Sequence, residues 1–320
     1  MKTIRFALLG PGNISHRVIK GMNKVNHLQI YGVAARSLEK AEAFKEQYHI
    51  PHAYGSYEAC LQDEHIDAVY IATPTQAHFN MVMEALKHGK HVMCEKPFMI
   101  HAEQVKEAFH YAKTHHLLLM EAFKANFLPT TKQVKKWMET GAIGKVRYLE
   151  ASYSYKFQGP QDHWVYQKQD GGGGLYDVGI YPLGFCNYLV NSSILDFKAS
   201  SILNESGVDD LTQVLLTYEN QVMASIRGGI GLATKNIAYI YGDSGYIEVP
   251  DFWKSEKAYL HQGDQITVFE EKHEKCEFKY QIQAFVDDLL NHLDEDEIMS
   301  EKTSYENVRI MEASVKMNDE

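Results

Sequence analysis

Four short stretches of the chain bring together residue types that can do chemistry. The first is Gly10-Pro11-Gly12-Asn13-Ile14-Ser15, between an apolar run and a helical pattern. It supplies the first two glycines of G-x-G-x-x-G, with Ser15 in place of the third. Gly10 permits a tight turn, and Gly12 lets the backbone approach a pyrophosphate. The helix that starts around Asn13 and Ile14 offers free N–H groups and its positive dipole end to that anion. Ser15 is small, so close helix–strand packing survives. Dinucleotide binding is the expectation; an ordinary strand–turn–helix is the plainer alternative. The second stretch is Ala34-Ala35-Arg36-Ser37, at the end of the second apolar run. NAD-preferring sites carry an acidic residue about 20 residues past the glycines to bind the ribose hydroxyl. Here a guanidinium and a hydroxyl stand instead. Arg36 can pair bidentately with a 2′-phosphate or stack on adenine, so NADP is preferred and NAD is the lesser cofactor. Ser37 is also a favoured helix N-cap. The third stretch is Glu95-Lys96-Pro97, a lysine directly after an apolar strand and followed by proline. It falls at the carboxyl edge of a sheet, where open α/β folds bind ligands; the bland reading is a salt-bridged turn. The fourth is Gly171–Gly174 followed by Asp177 and Tyr181, four apart and hence on one face if helical. The glycines would permit close approach to a ligand. Pro182 means that the helix is kinked or begins late. A glycine-rich loop with a core tyrosine is the bland alternative.

These groups need a scaffold, and residues 1–122 supply one. Ile4–Leu9, Leu28–Ala34, Ala68–Ala72, His91–Cys94 and Leu117–Met120 read as short buried strands. Helical patterns separate them at Ile14–Val25, Leu38–Tyr48, Phe79–His88 and Glu103–His115. That alternation implies a doubly wound parallel sheet with right-handed crossovers. Beyond residue 122 the texture changes. Pro129 opens a helix that stops at Gly141, and Val146–Phe157 alternates like a half-buried strand. Further strands are expected at Phe197–Leu203, Thr212–Tyr218, Gln221–Arg227, Ile237–Tyr241, Gly245–Val249 and Gln265–Glu270. Helices close the chain at Gln281–Leu293 and Thr303–Val315. Residues 123–320 therefore read as an α+β domain with one large, mostly antiparallel sheet. Lys272–Lys275 and Asp294–Glu297 read as solvated charge clusters.

Composition narrows the partners. The chain has 320 residues, 45% hydrophobic and 23% charged, which is ordinary globular usage. A net charge of −10 argues against nucleic acid as the main partner. No run of about 18 apolar residues suggests a membrane span, and Phe6–Leu9 is too short for a signal peptide. Cys60, Cys94, Cys186 and Cys276 are spaced by more than 30 residues and contain no C-x-x-C pair. Neither a disulfide framework nor a zinc site is expected, and cytoplasmic residence is the simplest reading. There is no H-E-x-x-H motif, and no metal is expected.

Four features together make the sequence resemble the Gfo/Idh/MocA family of nicotinamide-dependent oxidoreductases. They are Gly10-Pro11-Gly12-Asn13-Ile14; Thr73-Pro74 with His78; Glu95-Lys96-Pro97; and the run from Gly172 to Pro182. Ala35-Arg36-Ser37 looks most like the dihydrodiol and pentose dehydrogenase branch, whose members tend to use NADP. The resemblance implies a Rossmann domain over residues 1–122 and a substrate-binding and oligomerisation domain over 123–320, assembled as a homodimer or larger. It implies that Thr73 and Pro74 line the nicotinamide side of the cofactor, with His78 near the ribose or substrate. Glu95 is implied at the nicotinamide ribose, and Lys96 at both ribose and reacting hydroxyl, across a cis Lys-Pro bond.

Many members carry histidine where this chain has Tyr181, and that histidine is taken as the base. Free tyrosine and lysine side chains both titrate near 10, so either needs help to act as a base near neutrality. Lys96 beside Tyr181 would favour tyrosinate, whereas Asp177 would favour cationic lysine. The expected reaction is hydride transfer between nicotinamide and a secondary alcohol or carbonyl of a sugar, polyol or related hydroxy compound. Lys96 stabilises charge on the reacting oxygen, Tyr181 or Lys96 exchanges the proton, and Asp177 orients a neighbouring hydroxyl. The alternative is a non-catalytic nucleotide- or sugar-binding regulator on the same fold; reduction of an imine or tetrapyrrole-like substrate is a third. Lys124 and Asn126 stand where the dihydrodiol branch tends to have tryptophan and arginine. Lys124 is thus a candidate for a sugar hydroxyl or acidic group, against a solvated lysine. Trp164 is a candidate for the apolar face of a sugar, against sheet packing of the aromatics Tyr153, Tyr155, Phe157 and Tyr166.

Overall fold

The computed structural model describes residues 2–317. The chain forms two compact units, one of Met1–Phe123 with Glu274–Tyr305 and one of Lys124–His273 with Glu306–Glu320. Residues 1 and 318–320, at the ends of the two expected domains, lie outside the described residues.

The first unit alternates strands and helices: β1 (Ile4–Leu9), α1 (Ser15–Met22), β2 (Leu28–Ala34), α2 (Leu38–Tyr48), β3 (His52–Tyr54), α3 (Tyr57–Leu61), β4 (Ala68–Ile71), α4 (His78–Lys87), β5 (His91–Glu95), α5 (Ala102–Thr114) and β6 (Leu119–Ala122). All six strands are parallel, in the order β3-β2-β1-β4-β5-β6. The doubly wound expectation is met. β4 and β6 are buried at every residue, as strands covered on both faces must be. β3 and α3 have no counterpart in the sequence reading. One exposed and two half-exposed residues carry no apolar pattern, and β3 forms because β2 offers it an edge.

The sequence reading assigned everything past residue 122 to one domain, whereas residues 274–305 pack with the first unit. The helix Phe278–Leu290 buries Phe278, Ile282, Phe285 and Val286. Phe285 meets Phe6 of β1 edge-on at 5.7 Å. A Cβ added at Gly21 of α1 would lie 2.8 Å from the Phe278 Cβ, so glycine permits this close helix contact. Glu277 pairs with Arg17 of α1.

The second unit contains α6 (Lys124–Phe127), α7 (Pro129–Glu139), β7 (Val146–Ser154), α8 (Ile180–Val190), β8 (Ile194–Leu203), β9 (Asp209–Tyr218), β10 (Met223–Gly229), β11 (Ile237–Gly242), β12 (Tyr246–Pro250), β13 (Lys257–Gln262) and β14 (Gln265–Glu270). Its sheet has the order β14-β13-β12-β11-β7-β10-β9-β8. Only β7 and β10 pair in parallel, so the sheet is mostly antiparallel, as expected. β9 alternates buried Thr212, Val214 and Leu216 with the exposed Gln213 and Leu215, the signature of a sheet packed on one face. The apolar α8 lies against β7 and β10. A π-helical turn, Leu175–Gly179, leads into α8. Pro182 is the third residue of α8, directly behind the π-helical turn and inside one continuous helical stretch, so its missing N–H falls where the helical bonding changes from π to α. In the acidic run expected at the surface, Asp296 is buried and accepts the amides of Ile298 and Met299.

Candidate active site

The strand order of the first unit reverses between β1 and β4, so the loops at their carboxyl ends diverge and leave a crevice. Gly10 takes φ +94°, and a Cβ there would lie 2.8 Å from the Ala72 carbonyl oxygen. Any other residue would be strained and would push the two loops apart. Ser15, in the place of the third glycine, is buried and donates its hydroxyl to the Gly10 carbonyl at 2.7 Å. Gly12 and Asn13 are exposed, and a Cβ at Gly12 would meet nothing within 4 Å. α1 starts behind Ile14 with no side-chain cap. Across the crevice Thr73 keeps a buried Oγ1 without a hydrogen-bond partner, beside the exposed Pro74. Open space over a glycine, an uncapped helix start and an orphaned hydroxyl form a cradle suited to a dinucleotide.

At the end of β2 the Ala35 amide bonds the Tyr54 carbonyl at 3.1 Å, and Arg36 extends into solvent. Ser37 occupies the N-cap position of α2 in extended conformation, yet its hydroxyl makes no cap hydrogen bond. The capping role open to Ser37 is not taken.

β5 delivers Glu95 and Lys96 to the same edge, and the Lys96–Pro97 bond is cis. Glu95 is buried: Oε1 accepts the Tyr70 hydroxyl at 2.6 Å, and Oε2 accepts the Lys96 amide at 3.3 Å. Lys96 is half-buried. His78 is buried, with Nε2 2.8 Å from the Thr73 carbonyl and Nδ1 3.0 and 3.1 Å from those of Pro97 and Phe98. Burial lowers its pKa, and the three carbonyls oppose that shift. His78 thus straps the loop after β4 to the turn after β5. Both ring nitrogens face backbone carbonyls, so His78 positions these two turns at the edge where the resemblance implied a ribose or substrate contact.

In the second unit the glycine run serves the fold. A Cβ at Gly172 would fall 2.6–2.8 Å from the carbonyl oxygens of Val165, Gln167 and Trp164. One at Gly174 would lie 2.5 Å from the Gly229 Cα. These glycines admit protein backbone, not the ligand for which their absence of side chain was first read. Gly173 takes φ +105° next to Asp209, whose Oδ2 accepts the Leu175 amide at 2.8 Å and the Thr212 hydroxyl at 2.7 Å. Burial pushes Asp209 up to about 6, against these hydrogen bonds. The π-helical turn built on this anchor presents Asp177, half-exposed, and Tyr181, nearly buried at 8% exposure, follows in α8. Tyr155 donates its hydroxyl to Asp177 Oδ2 at 2.6 Å. Burial and then the carboxylate push the Tyr155 phenol well up, so it remains a donor. The Tyr181 ring lies 5.8 Å from that of Tyr153, which stacks on Trp253 at 3.8 Å.

The sequence reading missed Tyr70, Tyr155 and Asp209. Tyr155 stood among strand aromatics without a pattern naming its partner, and Asp209 lies 34 residues from the amide it anchors. Lys124, the first residue of α6, is 3% exposed, so the solvated-lysine alternative fails. Trp164 is 37% exposed, whereas Tyr155, Phe157 and Tyr166 pack on Val165, Val208 and Ile230. Among the described residues, no cluster of three or more histidines, cysteines or carboxylates could hold a metal ion. No helix among them is long and apolar enough to cross a membrane.

Residues 4–123 match the family model described as oxidoreductase family, NAD-binding Rossmann fold, and residues 131–248 match the GFO/IDH/MocA C-terminal domain. A trans-1,2-dihydrobenzene-1,2-diol dehydrogenase from Xenopus tropicalis is 32% identical over 255 residues, 78% of this chain and 76% of its own. An NADP(+)-dependent scyllo-inositol 2-dehydrogenase from Bacillus subtilis (strain 168) is 30% identical over 267 residues, 82% of this chain and 80% of its own. The crystal structure of a 3-ketoreductase from Actinomadura kijaniata, in complex with NADP and TDP-benzene, superimposes with a TM-score of 0.88 at 25% identity. It covers 98% of this chain and 97% of that one. With both domain models matched in order and relatives aligned over most of its length, the chain belongs to the Gfo/Idh/MocA family of oxidoreductases.

Proposed function

We propose that this protein is an NADP-preferring oxidoreductase that interconverts a secondary alcohol and its carbonyl on a sugar, polyol or related hydroxy compound. The observation that carries this reading is Lys96. It emerges half-buried from the carboxyl end of β5, on a turn fastened by Tyr70–Glu95 and by His78 to the loop facing the glycine cradle. Relatives whose names specify a diol, an inositol and a ketone, two of them with NADP, support the same chemistry.

The cofactor's phosphates fit the backbone of Gly10, Gly12, Asn13 and Ile14, and its 2′-phosphate fits Arg36 and Ser37. Thr73 and Pro74 are the candidates for its nicotinamide end, with the orphaned Thr73 hydroxyl free to bond it. When bound, NADP(H) supplies or accepts the hydride. Lys96 hydrogen-bonds the reacting oxygen and stabilises its developing negative charge. Tyr181 or Lys96 exchanges the hydroxyl proton. Asp177, oriented by Tyr155, binds a neighbouring hydroxyl. Lys124 and Trp164 are candidates for the remainder of a polyhydroxy substrate. Absorbance at the reduced-nicotinamide band over aldoses, polyols and diols tests the reading. Turnover with at least one polyhydroxy compound is expected; NADP binding without turnover across the panel would leave a non-catalytic binder.

The second unit's sheet carries Leu215, Met223, Ile266 and Val268 exposed. Its register aligns Met223 with Tyr148 and Tyr241, which stack at 6.0 Å. So apolar a face on one sheet supports a homodimer through it. Changing Leu215 and Met223 together to lysine is expected to turn a sedimenting dimer into a folded monomer. A monomeric wild type at micromolar concentration would refute the assembly. Four free cysteines, three of them buried, accord with a reducing, cytoplasmic compartment.

A further inference from the structure

Asp209 opens β9 and is 4% exposed. The reaction described above does not use it. Its Oδ2 accepts the Leu175 amide at 2.8 Å and the Thr212 hydroxyl at 2.7 Å. Thr212 has one hydroxyl proton to give, so the Ser201 hydroxyl, 2.8 Å away on β8, donates to Thr212 in turn. One carboxylate oxygen thus joins β8 and β9 to the residue that opens the π-helical turn Leu175–Gly179. Leu175 stands among the first amides of this helical stretch, which lack an intrahelical acceptor. Gly174, at the cap position, has no side chain to offer one. Asp209 supplies it from 34 residues away, and a carboxylate at that end also answers the helix dipole. The turn needs such a hold. A π-helical turn takes one residue more than an α-helical turn and is rare on its own. Relaxation to α geometry would turn Asp177 relative to Tyr181 by up to about 100°, one α-helical step. The far end of the turn is packed on β10: a Cβ at Gly228 would lie 2.3 Å from the Gly179 Cα. Asp209 and β10 therefore grip the turn at its two ends. Asp177, between them, meets the Tyr155 hydroxyl at 2.6 Å.

We propose that Asp209 is a positioning residue for Asp177: by holding the first amide of the π-helical turn, it sets where the Asp177 carboxylate stands for a substrate hydroxyl. The part played in turnover rests on the oxidoreductase reading; the anchoring of the turn does not. Asp209→Ala leaves the Leu175 amide and the Thr212 hydroxyl without their acceptor, whereas Asp209→Asn keeps an oxygen in the same place.

Two measurements test the proposal. Amide hydrogen exchange followed by NMR, without cofactor or substrate, reads the anchor. Leu175 is expected to exchange about tenfold or more faster in Asp209→Ala, the order set by leaving a buried donor unpartnered. Asp209→Asn should recover most of that protection. Exchange at the wild-type rate in Asp209→Ala overturns the anchor, whatever the enzyme's substrate. In turnover, Asp209→Ala is expected to lower kcat by about 10- to 100-fold, with Asp209→Asn recovering most of the loss. A double-mutant cycle with Asp177→Ala separates positioning from a general loss of structure. If Asp209 acts through Asp177, Asp209→Ala costs no more than about twofold once the Asp177 carboxylate is gone. The same loss in both backgrounds overturns the positioning role. Asp209→Ser, whose hydroxyl falls short of Leu175 but leaves room for a water at Thr212, is read in the same way if the alanine protein does not fold.

Discussion

Lys96→Ala is expected to lower kcat/KM by roughly 10²- to 10⁴-fold, the range for removing a charge-stabilising donor or a proton-transfer group. The affinity for NADP should change by no more than about tenfold, since one hydrogen bond to the ribose contributes about 0.5–1.5 kcal/mol net. The split between turnover and binding is the diagnostic reading. The fold should survive, because the turn is held by groups other than the ammonium. Tyr70 anchors Glu95, and His78 holds the carbonyls of Pro97 and Phe98. Steady-state kinetics beside NADP titration by fluorescence measure both quantities. Turnover near wild type with NADP still bound would remove Lys96 from the mechanism. Tyr181→Phe then separates the two proton acceptors. If Tyr181 is the base, its loss costs a similar factor in kcat; if Lys96 is, the phenylalanine enzyme retains most of its turnover.

The second large effect concerns cofactor choice. Arg36→Ala should weaken NADP by about 10- to 150-fold, matching roughly 1.5–3 kcal/mol for hydrogen bonds between charged groups. NAD affinity should hold within about threefold, because NAD lacks the phosphate that Arg36 addresses. The exposed position of Arg36 at the end of β2 makes a folding effect small. Arg36→Asp should go further and favour NAD, by supplying a carboxylate for the ribose hydroxyl. Equal weakening of both cofactors would show that the guanidinium contacts something they share, such as the adenine ring. Isothermal titration with each cofactor decides between these outcomes.

Both substitutions address residues that could be chosen from the linear chain, and the reason is local. The glycine turn, the end of β2 and Glu95-Lys96-Pro97 each follow a short apolar strand within a few residues. In a parallel sheet every such strand end falls on one edge, so sequence adjacency already places the group. β1, β2 and α2 were placed to the residue for a similar reason, since strong apolar runs bounded by turn residues leave little latitude. β3 and β13 were not anticipated. β3 is short and half-exposed, and β13 offers only a brief alternation around Ala258 and Leu260. Each forms by pairing with a neighbour brought in from elsewhere.

Residue types and their periods were therefore enough for the parallel sheet, the nucleotide cradle and the lysine at its edge, because each depends on contacts within one strand–turn–helix unit. Long-range packing alone revealed the work of several other groups. His78 became a strap once β4 and β5 lay side by side, presenting carbonyls to both ring nitrogens. The glycines before Asp177 were explained by the backbone of β10, Asp209 by the Leu175 amide, and Tyr155 by Asp177. Solvation and hydrogen-bond satisfaction depend on atoms far apart along the chain, so they acquire values only once the layers have closed.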